Sequence, residues 1–332
     1  MAHNIWGERF FTRKPAWHEV GHVSDEDVTA TDALIRYLGS YKVTLERAEA
    51  MGWRFAEKLI IRHPTETDPH PRVFGLVSFD YNLIDPATAC GIWDKHVGRP
   101  VETIGALAEG STLFITTKLP TIDVHGDEVE MYLLCSSPMT GKEAAIAAVT
   151  PVRVVCQNTL RTAKALSTTT MKVRHDDGAA ERLGQWMGDL YKDATDKVDA
   201  MHEVFELLAE CRPSGEIVTA VLTAAYPAPA PLAENAPREV LAERQAQRQQ
   251  RVAMMTSYQA AARDLFNGGA VGNDAPAMTG TLWGLYNAVA ELENYRRANG
   301  KDDSAAASVL WGARGDAIER AFVVCAEVAR SR

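Results

Sequence analysis

Apolar residues recur at three- and four-residue spacings from Ala179 to Cys211, through Leu183, Trp186, Met187, Leu190, Val198, Met201, Val204, Phe205 and Leu208. That period is the mark of helix with one buried stripe. Further helical patterns run over Arg238–Phe266, Leu282–Ala298 and Ser304–Ala329. The Pro-rich break Tyr226–Pro237 and the Gly/Asn-rich turn Asn267–Asp274 punctuate them. The first half follows another rule. Short β-like runs, Lys58–Arg62, Val73–Phe79, Ser111–Leu119 and Val129–Cys135, are separated by His63–Pro71, Asp85-Pro86 and His125-Gly126-Asp127. In Ser111–Leu119, Leu113, Ile115 and Thr117 alternate with Thr112, Phe114 and Thr116, which predicts a sheet buried on one face. Ser24-Asp-Glu-Asp27 reads as a capping box for a helix including Ala30, Ala33, Leu34 and Tyr37. Val152–Cys156 has strand composition, Leu160–Leu166 is helix-like, Thr168–Thr170 should end that helix, and Met171–Arg174 reads as another extended piece. The fold class is α+β, a mixed, sheet-containing N-terminal half followed by a helical C-terminal half. The change of character places the division at residues 1–177 and 178–332, with the Pro-rich break at 226–237 inside the second part.

Length changes this picture little, since 332 residues suit two moderate cores. The apolar and charged fractions, 46% and 24%, are those of ordinary globular chains. Cys90, Cys135, Cys156, Cys211 and Cys325 stand singly, without a CxxC pair, which argues against a cysteine zinc site. Their odd number and an N-terminus without a secretory apolar run predict a reducing, cytoplasmic setting. No apolar run is long enough to predict a membrane span.

Charge location matters more than its total. The chain carries a net charge of −9, yet Ala144 to His175 contains no Asp or Glu. Arg153, Arg161, Lys164, Lys172 and Arg174 all fall in that stretch. Such a local reversal of sign makes a positive patch suited to a nucleic-acid backbone, with Asn158, Gln157 and His175 adding hydrogen bonds. The bland alternative is a strand and helix whose arginines anchor acidic neighbours such as Asp176, Asp177 or Glu102. Aromatics for base stacking must come from elsewhere, with Trp53, Phe79, Tyr81, Trp93, Phe114 and Tyr132 as candidates. Arg244, Arg248 and Arg251 form a second basic stripe, read as a solvated helix face or one side of an oligomer contact.

Motifs for catalysis are sparse. His18-Glu-Val-Gly-His22 matches HExxH, but Pro15 before it, Gly21 within it and the cap at Ser24 after it predict a loop. His63, Asp68 and His70 share a Pro-rich loop of a kind that seldom holds metal. Nucleophile-elbow, dinucleotide and Walker A patterns are missing, so no catalytic residue, metal or cofactor is assigned.

TPVRVVCQNTL, Thr150–Leu160, with Arg174-His175 downstream, resembles the phage/plasmid-like protein family, a domain of unknown function. The resemblance extends to the N-terminal MAHN, Trp17-His18 with Gly21, Glu102–Leu107 with Gly110, and TLWGLYNAVAELENY. It implies an origin in phages, prophages or plasmids, brings no activity with it, and makes the second histidine of HExxH accidental. The leading expectation is a protein that binds or anneals single-stranded DNA in recombination or replication, acting as a homo-oligomer without chemistry of its own. An inhibitor of host defence with a host protein partner is the second reading. An enzyme using His18, His22, His63 or His70 to hold metal is the third.

Overall fold

The computed structural model describes residues 4–15, 19–151, 169–230, 238–270, 274–293 and 313–332, and its architecture is α+β. The first half forms strands β1 (Ile5–Thr12), β2 (His22–Val23), β3 (Val43–Ala50), β4 (Trp53–Arg62), β5 (Arg72–Val77), β6 (Thr103–Leu107), β7 (Thr112–Lys118), β8 (Ile122–Val124), β9 (Asp127–Val129), β10 (Tyr132–Pro138), β11 (Ala145–Thr150) and β12 (Thr169–Val173). Seven of them make one sheet in the order β12-β11-β10-β7-β6-β1-β2. All its pairings are antiparallel except β1 with β2. β3-β4-β5 form a separate antiparallel sheet, and β8 pairs with β9.

The central strands differ from the one-sided expectation. Every residue of β6, β10 and β11 is buried, and so are the first six of β7. The polar threonines of both faces are inside because their hydroxyls find partners: Thr117 Oγ1 donates to the Pro100 carbonyl at 2.9 Å, and Thr116 Oγ1 to that of Thr103 at 3.4 Å. Ile5, Phe10, Leu107, Phe114 and Leu134 form one apolar cluster in this sheet. Thr169 and Thr170 lie in β12, while Val152–Cys156, the helix-like run Leu160–Leu166 and Thr168 lie outside the described residues.

Helix α1 (Ala30–Arg36) begins later than the capping-box reading places it. Thr29 is the cap, its hydroxyl accepting from Asp32 N at 3.0 Å, while Ser24 Oγ only accepts from Glu26 N in a local turn. Asp94 of α2 (Pro86–His96) completes the cap, its carboxylate accepting from Ala30 N at 2.8 Å and Thr31 N at 2.9 Å. Asp85-Pro86, read as a breaker, starts α2: Asp85 accepts from Thr88 N at 2.7 Å, and proline suits the first helical position.

The remaining helices are α3 (Ala179–Lys192), α4 (Ala194–Glu210), α5 (Gly215–Ala225), α6 (Arg238–Asp264), α7 (Leu282–Glu291) and α8 (Ala313–Arg330). Contacts divide the described residues into two units, one reaching to Ile122 and running from Val129 to Ala200, the other holding Asp123–Glu128 and everything from Met201 on. By contacts, helix α3 belongs with the first unit, packing on β11, β12 and α2. In the second unit α8 packs on α5 and α7, and Arg320 donates to the Ala224 and Ala225 carbonyls, both at 2.8 Å, closing the C-terminal end of α5. Trp283 packs against Phe205, and Tyr286 against Phe322. Arg244 and Arg251 are exposed on α6, and Arg248 donates to the Ala230 carbonyl at 3.2 Å.

Two close contacts pin loops of the first unit in place. Arg62 on β4 is 0% exposed; its guanidinium lies 4.3 Å from the centre of the Trp6 ring and donates to Asp68 Oδ2 at 2.6 Å and the His70 carbonyl at 2.9 Å. Arg9 lies 3.9 Å from the same ring centre and donates to Thr65 and Thr67, so the His63–Pro71 loop is tied to β1. Gly21 has φ +92°, and a Cβ there would stand 2.5 Å from the Phe10 carbonyl oxygen. Only glycine fits both the backbone angle and the close approach. Gly21→Ala should therefore cost about 2 kcal/mol or more, read as a lowered urea midpoint with an unchanged m-value.

Candidate nucleic-acid interface

Of the basic segment, Arg153, Gln157, Asn158, Arg161 and Lys164 lie outside the described residues, as do Trp17 and His18. Lys172, Arg174 and His175 lie within them. β12 forms one end of the seven-stranded sheet, paired on its other side with β11 through Lys172↔Ile146 and Thr170↔Ala148. Strand alternation then separates two sets. Thr170, Lys172 and Arg174 turn one way, and both cations are exposed; Val173 and His175 are buried.

None of the acidic neighbours named for the segment pairs with Lys172 or Arg174 among the described residues. Asp176 pairs with Arg182 of α3, whose guanidinium also donates to the Asp177 carbonyl at 2.6 Å, and Glu102 is buried. Among the described residues no ion pair involves Lys172 or Arg174.

His175 has a different task from its neighbours. It is 6% exposed, its ring is stacked on Tyr81 at 4.9 Å between centroids, and its Nδ1 lies 3.2 Å from the Asn82 carbonyl. Asn82 N in turn donates to the His175 carbonyl at 2.9 Å. These contacts clamp the segment after β5 to the end of β12. Burial holds the His175 pKa below its ordinary value, against the opposing effect of the Asn82 hydrogen bond and the nearby Asp176 carboxylate. The imidazole is therefore neutral at pH 7 and supplies no charge. Its linkage has a definite sign. The unfolded chain binds this proton more readily, so stability is full above about pH 6.5 and falls as pH drops through the folded pKa. Thermal melts at descending pH should show this loss in the parent and a shallower one in His175→Gln.

The clamp also brings an aromatic to the same end of the unit. Phe79 is 57% exposed, and the Lys58 ammonium lies 4.4 Å from the centre of its ring. Lys58 is opposite Val77 in the β4–β5 register, which places it beside the start of the clamped segment. Of the other stacking candidates, Trp53 is exposed and Tyr81 half-buried on His175, whereas Trp93, Phe114 and Tyr132 are core residues with no face to offer a base. Lys58 escaped sequence reading because its pairing with Phe79 depends on strand register. Asp80, exposed in the same segment, is the one acidic side chain between Phe79 and Tyr81.

The histidine-rich candidates disperse. His63 is 2.7 Å from the Thr44 hydroxyl, Asp68 is held by Arg62, and exposed His22 lies against Tyr37. Among the described residues no three His, Cys, Asp or Glu side chains gather to hold a metal ion. No helix among them is long and apolar enough to cross a membrane. Cys90, Cys135, Cys211 and Cys325 are buried, and burial pushes the Cys325 thiol up to about 12.

No curated protein and no solved structure matches the chain. The family model of a domain of unknown function, DUF932, matches residues 73–311, which includes β5 through β12, the clamp and most of the helical half. Because that match covers more than half of the sequence, the chain belongs to the DUF932 family.

Proposed function

We propose that this protein handles nucleic acid without chemistry of its own, binding or annealing single-stranded DNA in recombination or replication. The phage or plasmid setting comes from the resemblance of Thr150–Leu160, and the reading includes a cytoplasmic homo-oligomer. One observation carries it. Lys172 of β12 and Arg174 just beyond it, exposed and without an ion-pair partner among the described residues, stand where the Asn82–His175 clamp fastens the segment bearing Phe79, whose ring meets Lys58 of β4. Cations for phosphates beside an exposed ring for a base are the two components that sequence-tolerant single-strand binding requires. The acid-free sequence leading into β12 extends the same charge. The acidic remainder of the chain confines a polyanion to this region.

The test is binding of a labelled oligothymidylate, monitored by fluorescence anisotropy across a salt series. Tight binding at low salt, falling steeply as salt rises, is expected. Binding that ignores salt, or none at low salt, overturns the proposal and returns Lys172 and Arg174 to solvation alone.

A further inference from the structure

The acidic remainder of the chain is interrupted again, on α6. From Arg244 to Arg263 there is no Asp or Glu, while Arg244, Arg248, Arg251 and Arg263 all fall there with five glutamines. The C-terminal end of that stretch is anchored in its own unit. Ala262 is buried, and the Tyr258 ring lies 5.8 Å from that of Tyr226 between centroids. Gln259 donates to the Tyr226 carbonyl and Arg263 to Thr219 Oγ1, both at 3.0 Å. The part before Tyr258 is not packed in this way. Of the fourteen residues 244–257, eleven are exposed, Arg248, Val252 and Met255 are half-buried, and none is buried. This length of α6 runs out from its anchor through solvent.

Its charges are arranged against its own stability. At separations of four and three residues, the three leading arginines lie within about 60° of one another around the helix, along roughly 10 Å of its axis. Arg244 and Arg251 are exposed, and Arg248 Nε donates to the Ala230 carbonyl at 3.2 Å, a neutral acceptor that leaves its charge standing. Among the described residues none of the three has an ion-pair partner. Like charges at these spacings oppose a helix, and a row of anions laid along it removes the repulsion. Composition then selects among polyanionic surfaces. A helix that lies on a membrane needs a broad apolar face, whereas Ala246 is the only apolar side chain between Arg244 and Arg251. Single strands call for stacking rings, and Arg238–Ser257 contains no Phe, Trp or Tyr. Duplex DNA calls for none. Its major groove admits an α-helix, and guanidinium and carboxamide groups are the donors that suit its phosphates and purine edges. Gln245, Gln249 and Gln250 are exposed in the same stretch.

We propose that the 244–251 stretch of α6 docks on duplex DNA, with Arg244, Arg248 and Arg251 against its phosphates. This rests on the nucleic-acid reading for the class of partner and adds a second form of that partner, the duplex that annealing produces. The two contacts belong to different units, β12 to the first and α6 to the second.

Anisotropy of a labelled, blunt-ended DNA duplex titrated with the full chain across a salt series tests it. The parent should bind at low salt and release the duplex as salt rises. Arg244→Gln with Arg251→Gln should lower the slope of log affinity against log salt by about 1.8, at about 0.9 per phosphate contact. Affinity at low salt should fall about tenfold or more, while oligothymidylate affinity matches the parent's. Glutamine has nearly the helix preference of arginine and both positions are exposed, so an unchanged thermal melt is expected. Arg244→Lys with Arg251→Lys keeps both charges and should keep the parent's slope. A parent that binds no duplex at low salt overturns the proposal. So does a glutamine variant with the parent's duplex slope, or one that loses duplex and oligothymidylate equally. A glutamine variant that binds duplex like the parent but sediments differently gives the stripe to an acidic protein surface and overturns it as well. Lys172→Ala with Arg174→Ala should lose oligothymidylate and keep the duplex slope, so either idea can fail while the other stands.

Discussion

Replacing Arg62 with alanine should destabilise the first unit by about 3–5 kcal/mol, the largest effect expected of any single substitution in this fold. The guanidinium is wholly enclosed, covers the Trp6 ring and holds both Asp68 and the His70 carbonyl. Alanine removes those hydrogen bonds together, opens a cavity beside the indole and leaves the Asp68 carboxylate with only the His70 N hydrogen bond and the influence of Arg72. Arg62→Lys should recover only part of the loss, since an ammonium cannot spread over the ring and reach two acceptors in the same plane. Urea unfolding monitored by tryptophan fluorescence reads both variants. An alanine variant within about 1 kcal/mol of the parent would show that Trp6 and Arg9 hold the loop without it.

Removing Lys172 and Arg174 together should have the largest effect on binding. If each neutralises one phosphate of a single strand, the double alanine variant loses about 1.4 from the slope of log affinity against log salt, at about 0.7 per contact. Affinity at low salt should fall by about tenfold or more, while affinities at high salt converge. Phe79→Ala should behave differently, costing about 1–3 kcal/mol at every salt concentration because stacking does not release counterions. A double variant with the parent's slope would remove β12 from the interface and leave the charge effect to the basic residues that precede it.

The sequence made some of this arrangement legible and concealed the rest for identifiable reasons. β4, β5, β7 and β10 were readable because β-branched and aromatic runs met recognisable turn residues. β11, Ala145–Thr150, was not: three of its six residues are alanine, which has weak strand preference, and burial on both faces abolishes alternation. β1 was hidden because Gly7, Glu8 and Arg9 interrupt its apolar residues and its partner, β6, lies far along the chain. Helix α2 was masked by the proline that begins it. At the candidate interface, the extended reading of Met171–Arg174 meets β12, whose alternation exposes Lys172 and buries Val173. The burial of His175 and the meeting of Lys58 with Phe79 were not legible, since both depend on contacts across distant strands.

The position of β1 within the large sheet has a consequence for how the chain is made. Ile5–Thr12 is synthesised well before its antiparallel partner, Thr103–Leu107, so it must wait for about a hundred residues to be made before it can pair. The β3-β4-β5 sheet needs only neighbouring segments and can form during that interval. Val73 and Leu76, which stay exposed in the finished fold, are then presented to solvent on the nascent chain before the seven-stranded sheet exists.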